Sequence, residues 1–260
     1  MTQSAEKILI ERNGSVTTII INRPERRNAL DLEATRQLVA AFRAFEADPE
    51  AEVAVLTGAG GSFCAGADLK EMAEAGPVYQ PWAGPNGPTH RPLAKPVIAA
   101  VSGHAVAGGL GLAVWCDLRV ADETAVFGVF CRRWGVPMSD GTTVRLPRLI
   151  GLGRALDMLT TGRAVEADEA LAIGLAQRVV PAGQARAAAE ELAAQIAAFP
   201  PLAMRADRWS AYEQSGRSVE AALETEIALA AEAKAKEAQS GAGRFASGAG
   251  RHGAPETARS

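Results

Sequence analysis

The chain has 260 residues, of which 48% are hydrophobic and 22% charged, with a net charge of −3. That is one large domain or two small ones, with enough apolar material for a sizeable core, and it excludes disorder over most of the length. The 27 basic and 30 acidic residues form no block of like charge, so nucleic acid is not an expected partner, and no apolar run approaches the ~18 residues that would span a membrane.

The N-terminal stretch, MTQSAEKILIERNG, lacks the apolar run of a signal peptide. Residues 8–11 and 16–22 read as two strands around the turn Asn13-Gly14. Asp31 is placed to cap a helix with Leu38, Val39, Phe42 and Phe45 on one stripe. Residues 53–57 form a short apolar run ending at Gly58, the pattern of a buried strand, and residues 69–75 suit a short helix. Residues 76–92 are rich in Pro and Gly without a period, which predicts a mobile surface loop. A buried strand is expected at 97–101, a helix at 108–116, and strands at 118–121 and 125–129. From about Gly141 the pattern is almost all helical, over 154–161, 167–173, 184–199 and 219–239, and residues 240–260, with five glycines, are expected to fray or dock onto a neighbour. Strands alternating with helices, followed by helices alone, predict an α/β core over residues 1–195 and a helical C-terminal region over 196–260.

Cys64, Cys116 and Cys131 are odd in number and widely spaced, and His90, His104 and His252 are scattered. Neither a zinc site nor a disulfide framework is expected, and a reducing, cytoplasmic setting fits. Two glycine-rich turns carry more information. The first, Gly58 to Lys70, ends a strand and opens a helix near Asp68, leaving backbone N–H groups free to meet an anion. Taken alone it reads as an ordinary strand-to-helix turn. Phe63 stands where a dinucleotide fingerprint needs its third glycine, and no GK[ST] follows. The second, Ser102 to Leu112, also follows a buried strand; Gly108 and Gly109 can bring bare backbone against a ligand, and His104 reads as structural among small apolar neighbours. One N–H from each turn, converging on one oxygen, would stabilise charge developing on a carbonyl.

Asn22-Arg23-Pro24, Asn28-Ala29-Leu30, FCAGADLKEM (63–72) and KPVIAAVSGHAVAGGLGLAVWCDLRVA (95–121) together resemble the crotonase superfamily of enoyl-CoA hydratases and isomerases. The likeness continues through Phe127-Gly128, Arg145-Leu146, Thr161-Gly162-Arg163 and Val179-Val180-Pro181, over roughly residues 8–239. The resemblance implies a spiral of ββα turns with a helical trimerisation region, assembled as a homotrimer or a dimer of trimers. It implies an acyl-CoA thioester substrate, coenzyme A being carried on the substrate with no separate cofactor and no metal. It maps the oxyanion-hole N–H groups onto Ala67 and Gly108, and the coenzyme A and acyl path onto Ala65, Ala67, Asp68, Leu69 and Lys70. Arg26, Arg27 and Lys70 are phosphate partners by charge, although each alone reads equally as a solvated surface residue.

The two glutamates of a hydratase fall at Gly111 and Cys131, so neither position holds a carboxylate. Asp140 is the remaining acid in the region, and the isomerases of the superfamily carry a single catalytic carboxylate in a similar loop. Its other reading is a helix cap before Thr142. Arg132 and Arg133 are potential partners for Asp140 but fit surface roles better. Three functions follow: isomerase-like proton transfer by Asp140, hydration with a non-standard acid/base set, or silent acyl-CoA binding. Restoring glutamate at 111, especially with Cys131→Glu, is expected to raise hydration.

Overall fold

The computed structural model describes residues 6–76, 79, 81–82 and 87–249. These fall into two compact units divided after Ala194. In the first unit, β1 (Ile8–Asn13) and β2 (Val16–Ile21) form an antiparallel hairpin, and β3 (Val53–Gly58), β4 (Val97–Val101), β6 (Leu118–Asp122) and β9 (Arg178–Val180) continue from β2 in parallel. Every residue of β2 and β4 is buried, as is β3 up to Gly58, and so these strands read as apolar runs rather than alternating ones. A second sheet joins β5 (His104–Val106), β7 (Val126–Gly128) and β8 (Ala164–Glu166). The expected α/β core is thus present.

Helix α1 (Leu32–Ala47) starts where Asp31 accepts the Ala34 N–H at 2.7 Å. Its Leu38, Phe42 and Phe45 are buried, each contributing about 1.5–3 kcal/mol through apolar burial, and Phe42 meets Trp115 with ring centroids 4.8 Å apart. Val39, placed on the same stripe by the sequence, is only half-buried. Short α2 (Leu69–Ala75) and α3 (Gly108–Trp115) follow the two glycine turns, and α3 is buried along its whole length. Arg119, itself buried, donates to the carbonyls of Ala113 and Cys116 and so closes the end of α3.

Beyond Gly141 the unit contains α4 (Thr142–Ile150), α5 (Leu152–Thr161), α6 (Ala167–Ala172) and most of α7 (Ala185–Ala197), but also β8 and β9. The expectation of helices alone is corrected here. These three-residue strands are too short to show a period, and only pairing with β7 and β6 makes them strands. Strand β5 was missed for the same reason.

The second unit contains α8 (Pro201–Glu213), α9 (Val219–Ala233), a π-helical turn (Lys234–Ala238) and α10 (Gln239–Ala246). The expected fraying from Ser240 is corrected for residues 240–246, which are helical. The Glu237 carboxylate accepts the N–H groups of Leu202 and Ala203, tying this continuation to the start of α8. Residues 250–260 of the predicted tail lie outside the described residues.

Candidate active site

The two glycine turns are joined backbone to backbone. Cys64 N–H donates to His104 O at 2.8 Å, and Val106 N–H donates to Cys64 O at 3.0 Å, forming a single parallel bridge between Cys64 and Ala105. On its other side the first turn is bridged at Ala67 to Leu30. Gly66, at φ +93°, lies so close to the second turn that a Cβ there would come within 2.7 Å of the Gly108 nitrogen. This brings Ala67 and Gly108 together on one cavity wall. Among the described residues, no backbone carbonyl accepts the N–H of Ala67 or of Gly108.

The residue before Gly108 carries strain. Ala107 has φ +51° and ψ −125°, a conformation costing an alanine on the order of 1–3 kcal/mol. It is held there by its N–H on Gly128 O at 2.9 Å, and it turns the chain so that the N-terminal end of α3 opens at Gly108.

The first turn is shaped by side chains that the sequence reading quoted without giving them a role. Asn28, at φ +57°, accepts the Arg23 N–H and donates to the Ala59 and Ser62 carbonyls. Arg23 is buried and pairs with Asp31 at 2.9 Å and Asp68 at 3.0 Å. Asp68 also caps α2 by accepting the Lys70 N–H at 3.1 Å. Its carboxylate is therefore held by Arg23 and the cap, and Asp68, expected on the coenzyme A path, is not part of the cavity wall. Lys70 and Arg26 are exposed and stand outside the cavity wall.

The cavity measures about 650 Å³. Ala65, Ala67, Leu69, Gly108 and Asp140, all expected at the site, line it. Much of the remaining wall is aromatic or sulfur-bearing: Tyr79, Trp82, Phe130 and Trp134, with Met72 and Met138. The expectation of a mobile surface loop at 76–92 is corrected at its described positions. Tyr79, Trp82 and Thr89 are buried. The Tyr79 hydroxyl accepts the Asp68 N–H and donates to Leu30 O, and the Trp82 indole covers Gly108 so closely that a Cβ there would lie 2.3 Å from the ring. Residues 77–78, 80 and 83–86 of that segment lie outside the described residues. The available signal was the presence of two large aromatics in a segment of a chain with only 5% aromatics.

Asp140 is 3% exposed. Its Oδ1 accepts the Thr142 N–H at 2.9 Å, so it does help start α4, and the residue is also part of the cavity wall. Its own carbonyl accepts from Thr89 Oγ1 at 2.7 Å and from the Arg145 guanidinium at 3.3 Å. Burial pushes the carboxyl above the usual carboxylate range, and hydrogen bonding at Thr142 and the charge of Arg145 recover only part of this. Arg132 and Arg133 do not pair with Asp140: Arg132 donates to Leu159 O, and Arg133 lies over Phe130. Cys131 lines the cavity with its Sγ 3.2 Å from Met138 Sδ, and burial raises its pKa, so the thiol is neutral. His104 lies in β5, away from the cavity wall.

Asp140 is the one charged side chain among the described residues of the wall. The wall thus brings together Ala67 and Gly108, a buried acid with a raised pKa, and largely apolar surface.

The sequence pattern described as "Enoyl-CoA hydratase/isomerase" matches residues 11–248. The chain is similar to enoyl-CoA hydratase EchA19 of Mycobacterium tuberculosis, 43% identical over 211 residues that cover 78% of this chain and 79% of that one. It is also similar to the short-chain-enoyl-CoA hydratase of Clostridium acetobutylicum, 35% identical with 87% of each chain covered. Among solved structures it superposes on the enoyl-CoA hydratase EchA1 of Mycobacterium marinum with a TM-score of 0.87 and 36% identity, covering 93% of this chain and 96% of that one.

Proposed function

The chain belongs to the enoyl-CoA hydratase/isomerase family, and on that premise we propose that it moves a double bond in an enoyl thioester of coenzyme A, with Asp140 as the only proton carrier. The observation that carries this reading is the isolation of Asp140 as the one charged group of the described wall, with its carboxyl raised by burial. A general base works best with a pKa near the operating pH, and burial moves a carboxyl in that direction.

The thioester oxygen sits between the N–H groups of Ala67 and Gly108, at the positive end of α3. Asp140 takes a proton from the saturated α-carbon between the thioester carbonyl and the double bond. The electron pair moves onto the thioester oxygen as an enolate, where each donor contributes roughly 2.7–4 kcal/mol to the transition state. Asp140 then returns the proton to the γ-carbon of the dienolate, so the double bond moves into conjugation with the carbonyl and no atom is gained. Coenzyme A enters as part of the substrate, and no further cofactor takes part in this sequence. The apolar aromatic wall suits the acyl chain.

Hydration is the second reading, favoured by the names of the relatives. It requires a water held by Asp140, because Gly111 and Cys131 supply no carboxylate. A silent acyl-CoA binder is the third. A panel of enoyl-CoA thioesters, followed by absorbance and mass spectrometry, separates them: an isomer of unchanged mass supports the proposal, addition of one water supports hydration, and binding without turnover supports the third.

We also infer a homotrimer or dimer of trimers in the cytoplasm. Support comes from Leu152 on α5 and from Val219 and Ile227 on α9, which are 63%, 76% and 66% exposed, and from three free cysteines that fit a reducing compartment. Sedimentation of the whole protein as a 27.0 kDa species would overturn the assembly.

A further inference from the structure

We infer that Gly111 is the positioning residue of Asp140, through the side chain it lacks. This rests on the Asp140 reading above. Gly111 lies in the first turn of α3, one turn after Ala107, whose carbonyl accepts its N–H at 3.2 Å. A Cβ built on Gly111 would lie 2.4 Å from Cγ and from Oδ2 of Asp140, and 2.9 Å from Oδ1. All three nearest atoms belong to one carboxyl group, so that group is seated directly against the bare backbone of α3.

The carboxyl group has little freedom to move away. Asp140 is held from behind by Thr89 and Arg145 on its carbonyl and by the Thr142 N–H on its Oδ1, and the next residue, Gly141, is at φ +88°. An ordinary side-chain contact needs well over 3 Å, so a methyl at 111 forces the carboxyl out of its seat by about 1 Å. Displacements of that size at a reacting group cost on the order of a hundredfold in rate. A side chain at 111 and the Asp140 carboxylate thus exclude each other. This revises the expectation that glutamate at 111 simply adds an acid: Gly111→Glu would displace the acid already present.

The test is a double-mutant cycle of Gly111→Ala and Asp140→Ala on the full chain, read by turnover, KM, pH profile and melting temperature. A residue acting only through another has no effect once that other is gone. The expected result is that Gly111→Ala lowers kcat at least about tenfold, changes KM little, shifts the acidic limb of the pH profile and lowers the melting temperature. In the Asp140→Ala background the same change should leave kcat unaltered and should not lower the melting temperature, because the clash is gone and alanine favours the helix. If Gly111→Ala alone does not fold while the double variant does, the seat is supported by that contrast. If the double variant also fails to fold, the clash lies elsewhere and the proposal is overturned. Wild-type kcat and pH profile in folded Gly111→Ala, or a further loss of kcat in the Asp140→Ala background, also overturns it. Wild-type turnover in Asp140→Ala would instead remove the single-carboxylate mechanism, a failure distinguishable from an inactive Asp140→Ala with an active Gly111→Ala.

Discussion

Replacing Asp140 by asparagine should make the protein less active and more stable at once. Asp140 is 3% exposed, and burial is the main cause of the raised pKa of its carboxyl. Asparagine has the same shape, and its Oδ1 can still accept the Thr142 N–H that now ends 2.9 Å away. What it loses is the ionisable proton. General-base catalysis contributes about 10²–10⁴-fold, so turnover should fall at least about a hundredfold while thioester binding stays nearly unchanged. The stability change has a defined sign. A carboxyl whose pKa is higher in the folded than in the unfolded chain binds more protons when folded, so stability falls as pH rises between the two values. Asparagine removes that loss. A gain in stability is expected at pH 7, read as a higher melting temperature, and it should vanish below about pH 4, where the carboxyl is protonated in the unfolded chain as well. Thermal melts at pH 7 and in acid, with turnover on an enoyl-CoA panel, measure both effects. A variant that melts lower at pH 7 and keeps near-normal turnover would refute the reasoning, leaving Asp140 as a helix cap.

Arg23→Met should cost about 3–5 kcal/mol in denaturant melts at neutral pH, because it removes the guanidinium from two buried carboxylates now 2.9 and 3.0 Å away and leaves Asp68 without that ion pair, while Asp31 keeps Lys7. Burial opposes ionisation of Asp31, but the Ala34 N–H, Lys7 and Arg23 outweigh it and hold the carboxyl below its ordinary value. Its contribution is present above the unfolded pKa and disappears as pH falls through the folded one, so the deficit of Arg23→Met should shrink in acid; a deficit that grew there would be the wrong sign. The cysteines should resist a neutral thiol reagent until the protein unfolds. All three are buried, and burial raises each thiol, that of Cys64 to about 12. Fast labelling of Cys131 in the native protein would mean that its thiol is not the neutral group described above.

The sequence by itself determined the elements whose signals are local. The hairpin around Asn13-Gly14, the Asp31 cap, the apolar runs of β3 and β4 and the helix opening at Gly108 each rest on turn chemistry, a cap or burial on both faces, all readable within a few residues. The two glycine turns and their close approach were legible because backbone contact demands small residues at fixed offsets from a strand. Tertiary structure alone decided the rest. Strands β5, β8 and β9 are three residues each and exist only through pairing across the chain. Asp68 reads as a ligand contact in a motif but is held by Arg23, 45 residues away in sequence. Tyr79 and Trp82 sit in a Pro- and Gly-rich stretch whose composition signals a loop, yet hydrogen bonding at α2 and packing on Gly108 bury them. Most telling is the pair formed by Gly111 and Asp140. In sequence one reads as a missing acid and the other as a displaced one, 29 positions apart; in space they share one volume, because two atoms cannot occupy it and no local pattern records which residue fills it.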